Sequence, residues 1–164
     1  MAVSHLLGGL REAERNAPVD MKIEVVVVPV SDVDRAKAFY RSIGFDEDVD
    51  YACGERFRVV QLTPPGSTAS IIVGTGITDA VPGSLQGMHL VVRDIEAARA
   101  QLLERNVDVR PVFHDVDGVF YRRSPAGGVL GPDPARRAYA SFARFQDPDG
   151  NGWILQEGAT PKGG

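Results

Sequence analysis

With 164 residues, 43% of them hydrophobic and 24% charged, the chain is long enough to bury a core in one domain or in two half-sized ones. Its single cysteine, Cys53, excludes an internal disulfide, and a net charge of −4 leaves no electrostatic footprint for nucleic acid. Dinucleotide fingerprints, phosphate-cradling glycine loops, nucleophile elbows and Cys/His zinc spacings are all missing, which excludes the enzyme classes that those motifs mark.

Residues 1–20 hold one short apolar run, Leu6, Leu7 and Leu10, broken at once by charges. Neither a signal peptide nor a membrane span is expected, so the segment reads as an extension and the expected location is cytoplasmic. A first unit follows over 21–76. The apolar run from Val25 to Val30 reads as a strand leading into Asp32, whose carboxylate is placed to accept hydrogen bonds from the first free amides of a helix. That helix carries Val33, Ala36, Tyr40 and Ile43 at spacings of three and four and stops at Gly44. Residues 56–62 and 69–73 read as strands joined through the turn Thr63-Pro64-Pro65-Gly66. A linker covers 77–86.

The second unit, 87–158, repeats the first. Val92-Arg93-Asp94-Ile95-Glu96-Ala97-Ala98-Arg99-Ala100 matches the segment 62 residues earlier, and Asp147-Pro148-Asp149-Gly150 stands 84 residues after the first turn. The second helix places Ile95, Ala98 and Leu102 on one face and ends near Asn106. The two offsets leave 22 extra residues in the second copy, between that helix and the strand beginning near Tyr139. Segment 107–138 is therefore expected to be a long loop, irregular through its Gly- and Pro-rich centre at 124–134, of the kind that covers binding sites. A short tail, 159–164, closes the chain. Each unit reads strand, helix, then antiparallel strands, so the predicted class is α+β with two tandem βαβββ modules.

Val30-Ser31-Asp32 before a helix with Ala38-Phe39-Tyr40 and Ile43-Gly44-Phe45 resembles the opening of a module of the vicinal oxygen chelate superfamily, the glyoxalase/bleomycin-resistance type. Phe145-Gln146-Asp147-Pro148-Asp149-Gly150-Asn151-Gly152-Trp153 resembles its close, and the likeness spans about residues 21–158. The resemblance implies curved mixed sheets around a shared cavity, where a divalent metal typically binds substrate oxygens. Such proteins include lyases, isomerases, dioxygenases, thiol transferases and metal-free proteins that sequester antibiotics. The positions that usually carry ligands are here Val25, Ser70, Gly87 and Ile154. None is a good divalent-metal donor, so no cofactor is expected. The first expectation is a metal-independent protein for a small organic molecule. The alternative is a lyase, isomerase or dioxygenase-like enzyme using His89, or a rearranged metal set from Glu24, His89 and His114.

Alternation along the strands turns Val27, His89 and Val91 to the cavity, with Ile154 and Gln156 beside them. His89 is the candidate acid/base, and Gln156 offers an amide to orient a carbonyl. His114 beside Asp115 is a second acid/base candidate, Phe120 and Tyr121 a candidate aromatic wall, and Arg58 a candidate donor. Arg122, Arg123, Arg136 and Arg137 read as surface partners of acids such as Asp133 in preference to an anion site. Asp147–Gly150 reads as a turn. The modules can pair within one chain or by exchange across a homodimer.

Overall fold

The computed structural model describes residues 18–121 and 128–159. Residues 1–17 of the expected N-terminal extension, residues 160–164 of the tail, and Arg122 and Arg123 lie outside the described residues.

The first unit runs β1 (Val25–Val27), α1 (Val33–Ser42), β2 (Asp46–Cys53), β3 (Phe57–Thr63) and β4 (Ser70–Thr75). The second runs β5 (Met88–Val92), α2 (Ile95–Glu104), β6 (Phe113–Asp115), β7 (Gly128–Leu130), β8 (Ser141–Gln146) and β9 (Gly152–Glu157). Each forms one mixed sheet, ordered β1-β4-β3-β2 and β5-β9-β8-β6-β7. In both, the first strand lies parallel to the last, as it must when a helix crosses over between them.

Both helices start where their caps require. Asp32 accepts from the amide of Arg35, and Asp94 from those of Glu96 and Ala97. The first helix ends at Ser42, and the chain turns away through Gly44, whose φ of 103° a side chain would resist. Ala36 and Tyr40 from one helix, Ile43 that caps it, and Ile95 and Leu102 from the other enter a core that also takes Val60, Leu62, Ile71, Val73, Phe145, Trp153 and Leu155 from the sheets. Met88, Leu90 and Val92 pack against it, so alternation leaves His89 and Val91 on the opposite, concave face.

The long segment differs from expectation. Residues 113–115 and 128–130 pair as an antiparallel ladder, and β6 also pairs with β8, so the irregular centre contains a strand. Val129 and Leu130 tolerate extended backbone, and the otherwise open edge of β6 supplies the partner amides that glycine and proline neighbours do not remove.

The expected linker and second turn form one junction. Asn151 donates its side-chain amide to the Pro29 carbonyl and to Asp147 Oδ2, while its own oxygen accepts from the Leu85 amide. Asp149 accepts from the Ser31 amide and hydroxyl and from Arg35. Burial opposes ionisation of Asp149, but the two bonds from Ser31 and the charge of Arg35 hold its carboxyl below the usual range. Tyr40 donates to Asp147 at 2.8 Å and accepts from the Trp153 indole at 3.0 Å. Burial, then the Asp147 charge, pushes that phenol far above its ordinary range, so it remains a donor at every working pH.

Candidate functional site

The concave face of the second sheet is set by strand register. His89 pairs with Ile154 and Val91 with Gln156, while Phe142 and Arg144 of β8 stand beside Gln156 and Ile154. Phe113 lies opposite Phe142 on β6. Tyr121 folds down onto this surface, its ring centroid 5.7 Å from Phe142 and 6.0 Å from both Phe113 and His89. The result is an aromatic floor with three polar side chains, Arg144, His89 and Gln156. Beside it lies a cavity of about 1010 Å³, lined among others by Phe113, Phe120, Tyr121, Arg144 and Ile154. That is the upper end of the range that holds a drug-sized molecule.

Gln156 donates Nε2 to the Tyr139 carbonyl at 2.9 Å, and its Oε1 lies 2.9 Å from His89 Nδ1. A carbonyl can only accept, so the amide nitrogen must face Tyr139 and the amide oxygen must face the imidazole. His89 therefore carries a proton on Nδ1. In its neutral form Nε2 is left as an acceptor, able to take a hydrogen bond or a proton from a ligand.

The other predicted residues separate. Phe120 lines the cavity with 76% of its surface exposed. His114 is buried on the opposite face of the sheet, where Nδ1 meets the Gly131 carbonyl at 2.9 Å. Arg58 is also away from the concave surface: it bonds Asp50 on β2 and Asp34 on α1. Alternation explains both placements, since Phe113 and Val59, their strand neighbours, take the concave side. Arg136 holds Glu157 through two bonds, and Arg137 holds Asp133. Those bonds from Arg137, first from its side chain and then from its amide, bring the Asp133 carboxyl down to about 2. Both arginines thus serve neighbouring acids.

The four family metal positions do not fit a metal. Val25 and Ser70 are register partners and Ile154 lies beside Arg144, so alternation puts all three side chains on concave faces, but a lone hydroxyl is the only donor among them. The Ser70 hydroxyl is engaged by Thr63, which also donates to Asp48. Glu24 adds no ligand there, because it stands one residue from Val25 and so on the other side of the strand. Among the described residues no three His, Cys, Asp or Glu side chains lie close enough together to hold an ion. No described helix is long and apolar enough to cross a membrane.

Sequence reasoning did not single out Phe142 and Arg144. Counting back in twos from the Gln146-Asp147 boundary puts both on the face shared by Gln156, once the hairpin register is known.

This architecture recurs in known proteins. The antibiotic-binding protein TnmS3 from Streptomyces sp. CB03234 superposes with a TM-score of 0.63 at 30% identity, over 87% of this chain and 100% of that one. A glyoxalase/bleomycin resistance protein from the same Streptomyces strain gives 0.56 at 33% identity, over 82% and 99%. The uncharacterized protein YetH of Bacillus subtilis (strain 168) is 23% identical over 137 residues, 83% of this chain and 98% of YetH. The Glyoxalase/Bleomycin resistance protein/Dioxygenase superfamily model matches residues 22–155, so the chain belongs to that superfamily.

Proposed function

We propose that this protein binds a planar small organic molecule, of the kind an antibiotic-sequestering protein takes up, on the aromatic floor of its second module and without a metal. The observation that carries this reading is a cavity of about 1010 Å³ lined by Phe113, Phe120, Tyr121 and Arg144, its aromatic wall backed by the buried Phe142, with His89 and Gln156 on the same face outside that lining. Its likeness to an antibiotic-binding protein at 30% identity supports the same class of ligand.

A second copy of the chain completes the site. The concave face of the first sheet exposes Val25 (39%), Val49 (43%), Tyr51 (57%) and Phe57 (39%), and Val91 on the second sheet is 60% exposed. An apolar surface spread over two curved sheets is costly in water and is relieved when two such faces close over one ligand. Sedimentation at micromolar concentration should give twice the chain mass. A monomer that binds ligand with full affinity would remove this part of the reading.

The decisive experiment is calorimetric titration with a panel of planar aromatic antibiotics. Tyr121→Ala should weaken whichever ligand binds by about tenfold, which is about 1.4 kcal/mol, with the melting temperature nearly unchanged. Unaltered affinity would place the ligand elsewhere. Stoichiometric zinc, nickel, iron or manganese in protein purified without a histidine tag would overturn the metal-free assignment.

One observation favours an enzyme instead: the His89 Nε2 acceptor, oriented through Gln156 and Tyr139. Under that reading His89→Ala lowers turnover by roughly a hundredfold, whereas in a binding protein it changes affinity alone.

A further inference from the structure

We propose that the ligand of this cavity is an aromatic anion whose acidic group is seated on the guanidinium of Arg144. This rests on the binding function above and specifies its chemical class.

Arg144 projects from the middle of β8, opposite Ile154 of β9, on the concave face that carries the aromatic floor. Two contacts restrain it. The guanidinium carbon lies 5.7 Å from the centre of the Phe113 ring, within cation–π range, and Nη1 donates to the Tyr121 hydroxyl at 3.3 Å. These leave most of its five donors unused, and among the described residues no carboxylate comes within ion-pair distance. The contrast with Arg58, Arg136 and Arg137 is direct, because each of those is held by a carboxylate of its own module.

Asp108, Asp115 and Asp147 line the same cavity, and none of them forms an ion pair with Arg144. The carboxylate of Asp147 is taken up by the Tyr40 hydroxyl and by the Asn151 amides.

A neutral planar ligand lying on this floor would strip water from a cation and give nothing back, a cost that grows as a second copy closes over the site. A carboxylate, sulfonate or acidic phenol at the edge of the same ring system would instead meet a planar donor pair of matching geometry. The cation–π contact holds the guanidinium for that pairing before the ligand arrives, so little side-chain entropy is lost on binding. Arg144 thereby sets charge specificity, while the aromatic rings supply contact area.

The test uses the full-length protein and two fluorescent probes of one shape and different charge, anthracene-2-carboxylate and anthracene-2-carboxamide. In the unaltered protein the carboxylate should bind at least tenfold more tightly, and the difference should shrink in high salt. Arg144→Gln should abolish the preference of the carboxylate over the carboxamide, and Arg144→Lys should retain part of it. Equal affinities for both probes in the unaltered protein would overturn the proposal while leaving the binding function intact. A preference that survives Arg144→Gln would do the same. If neither probe binds, the proposal and the planar-ligand function both fall.

Discussion

Trp153→Ala should lower the stability of the protein by about 4 kcal/mol, within the span measured for removing a buried aromatic side chain. Trp153 is 1% exposed, stacks on Phe145 at 6.3 Å, and meets Tyr40 and Phe45 of the first unit edge-on at 5.8 and 6.1 Å. Its removal leaves a cavity shared by both units and strips the Tyr40 oxygen of a donor. A whole domain is stable by roughly 5–15 kcal/mol, so this one residue accounts for a large share. Trp153→Phe, which keeps most of the packing and loses the indole hydrogen bond, should cost far less. Chemical denaturation with far-ultraviolet circular dichroism measures both, and the transition should remain single because the side chain belongs to each unit's core. Two separated transitions, or a loss under about 1 kcal/mol, would show that the junction does not couple the modules.

Gly83→Ala is expected to cost on the order of 3 kcal/mol, combining about 1–2 for a left-handed residue with the penalty of overpacking. Gly83 has φ of 79°, and a β-carbon there would lie 2.0 Å from the Asp149 carbonyl oxygen. Both partners are backbone, so neither yields by changing rotamer. The linker would have to lift off the second turn, disturbing the Gly83 bond to the Pro29 carbonyl and the Leu85 bond to Asn151. Gly54→Ala provides the control. With φ of 65° and nothing within 4 Å of the added carbon, it carries the conformational penalty alone. If the two variants melt at the same temperature, the close approach at Gly83 contributes nothing.

Both substitutions strike the residues around Asp147, which sequence patterning identifies only as a turn. The backbone role was legible because Pro148 and Gly150 suit a reversal between strands. The second role was not. Asp147 meets Tyr40 across 107 residues of chain, and Asp149 meets Ser31 across 118, separations at which no local pattern operates.

The repeat, the two capped helices and the inward face of β5 and β9 follow from the sequence alone. Each depends on short-range chemistry: an aspartate ahead of amides that lack partners, apolar residues three and four apart, and side chains alternating along a strand. The inward placement of His89 and Gln156 belongs with these, since alternation decides it.

What only the tertiary structure decided is how strands far apart in sequence line up. Register between β6, β8 and β9 brings Phe113, Phe142 and Arg144 to one surface, and it turns His114 to the other. A shift of one residue would exchange those faces, and no feature within a single strand prevents it. The folding of Tyr121 onto that surface, and the choice of carboxylates by Arg58, Arg136 and Arg137 but not by Arg144, likewise depend on which side chains long-range packing leaves adjacent.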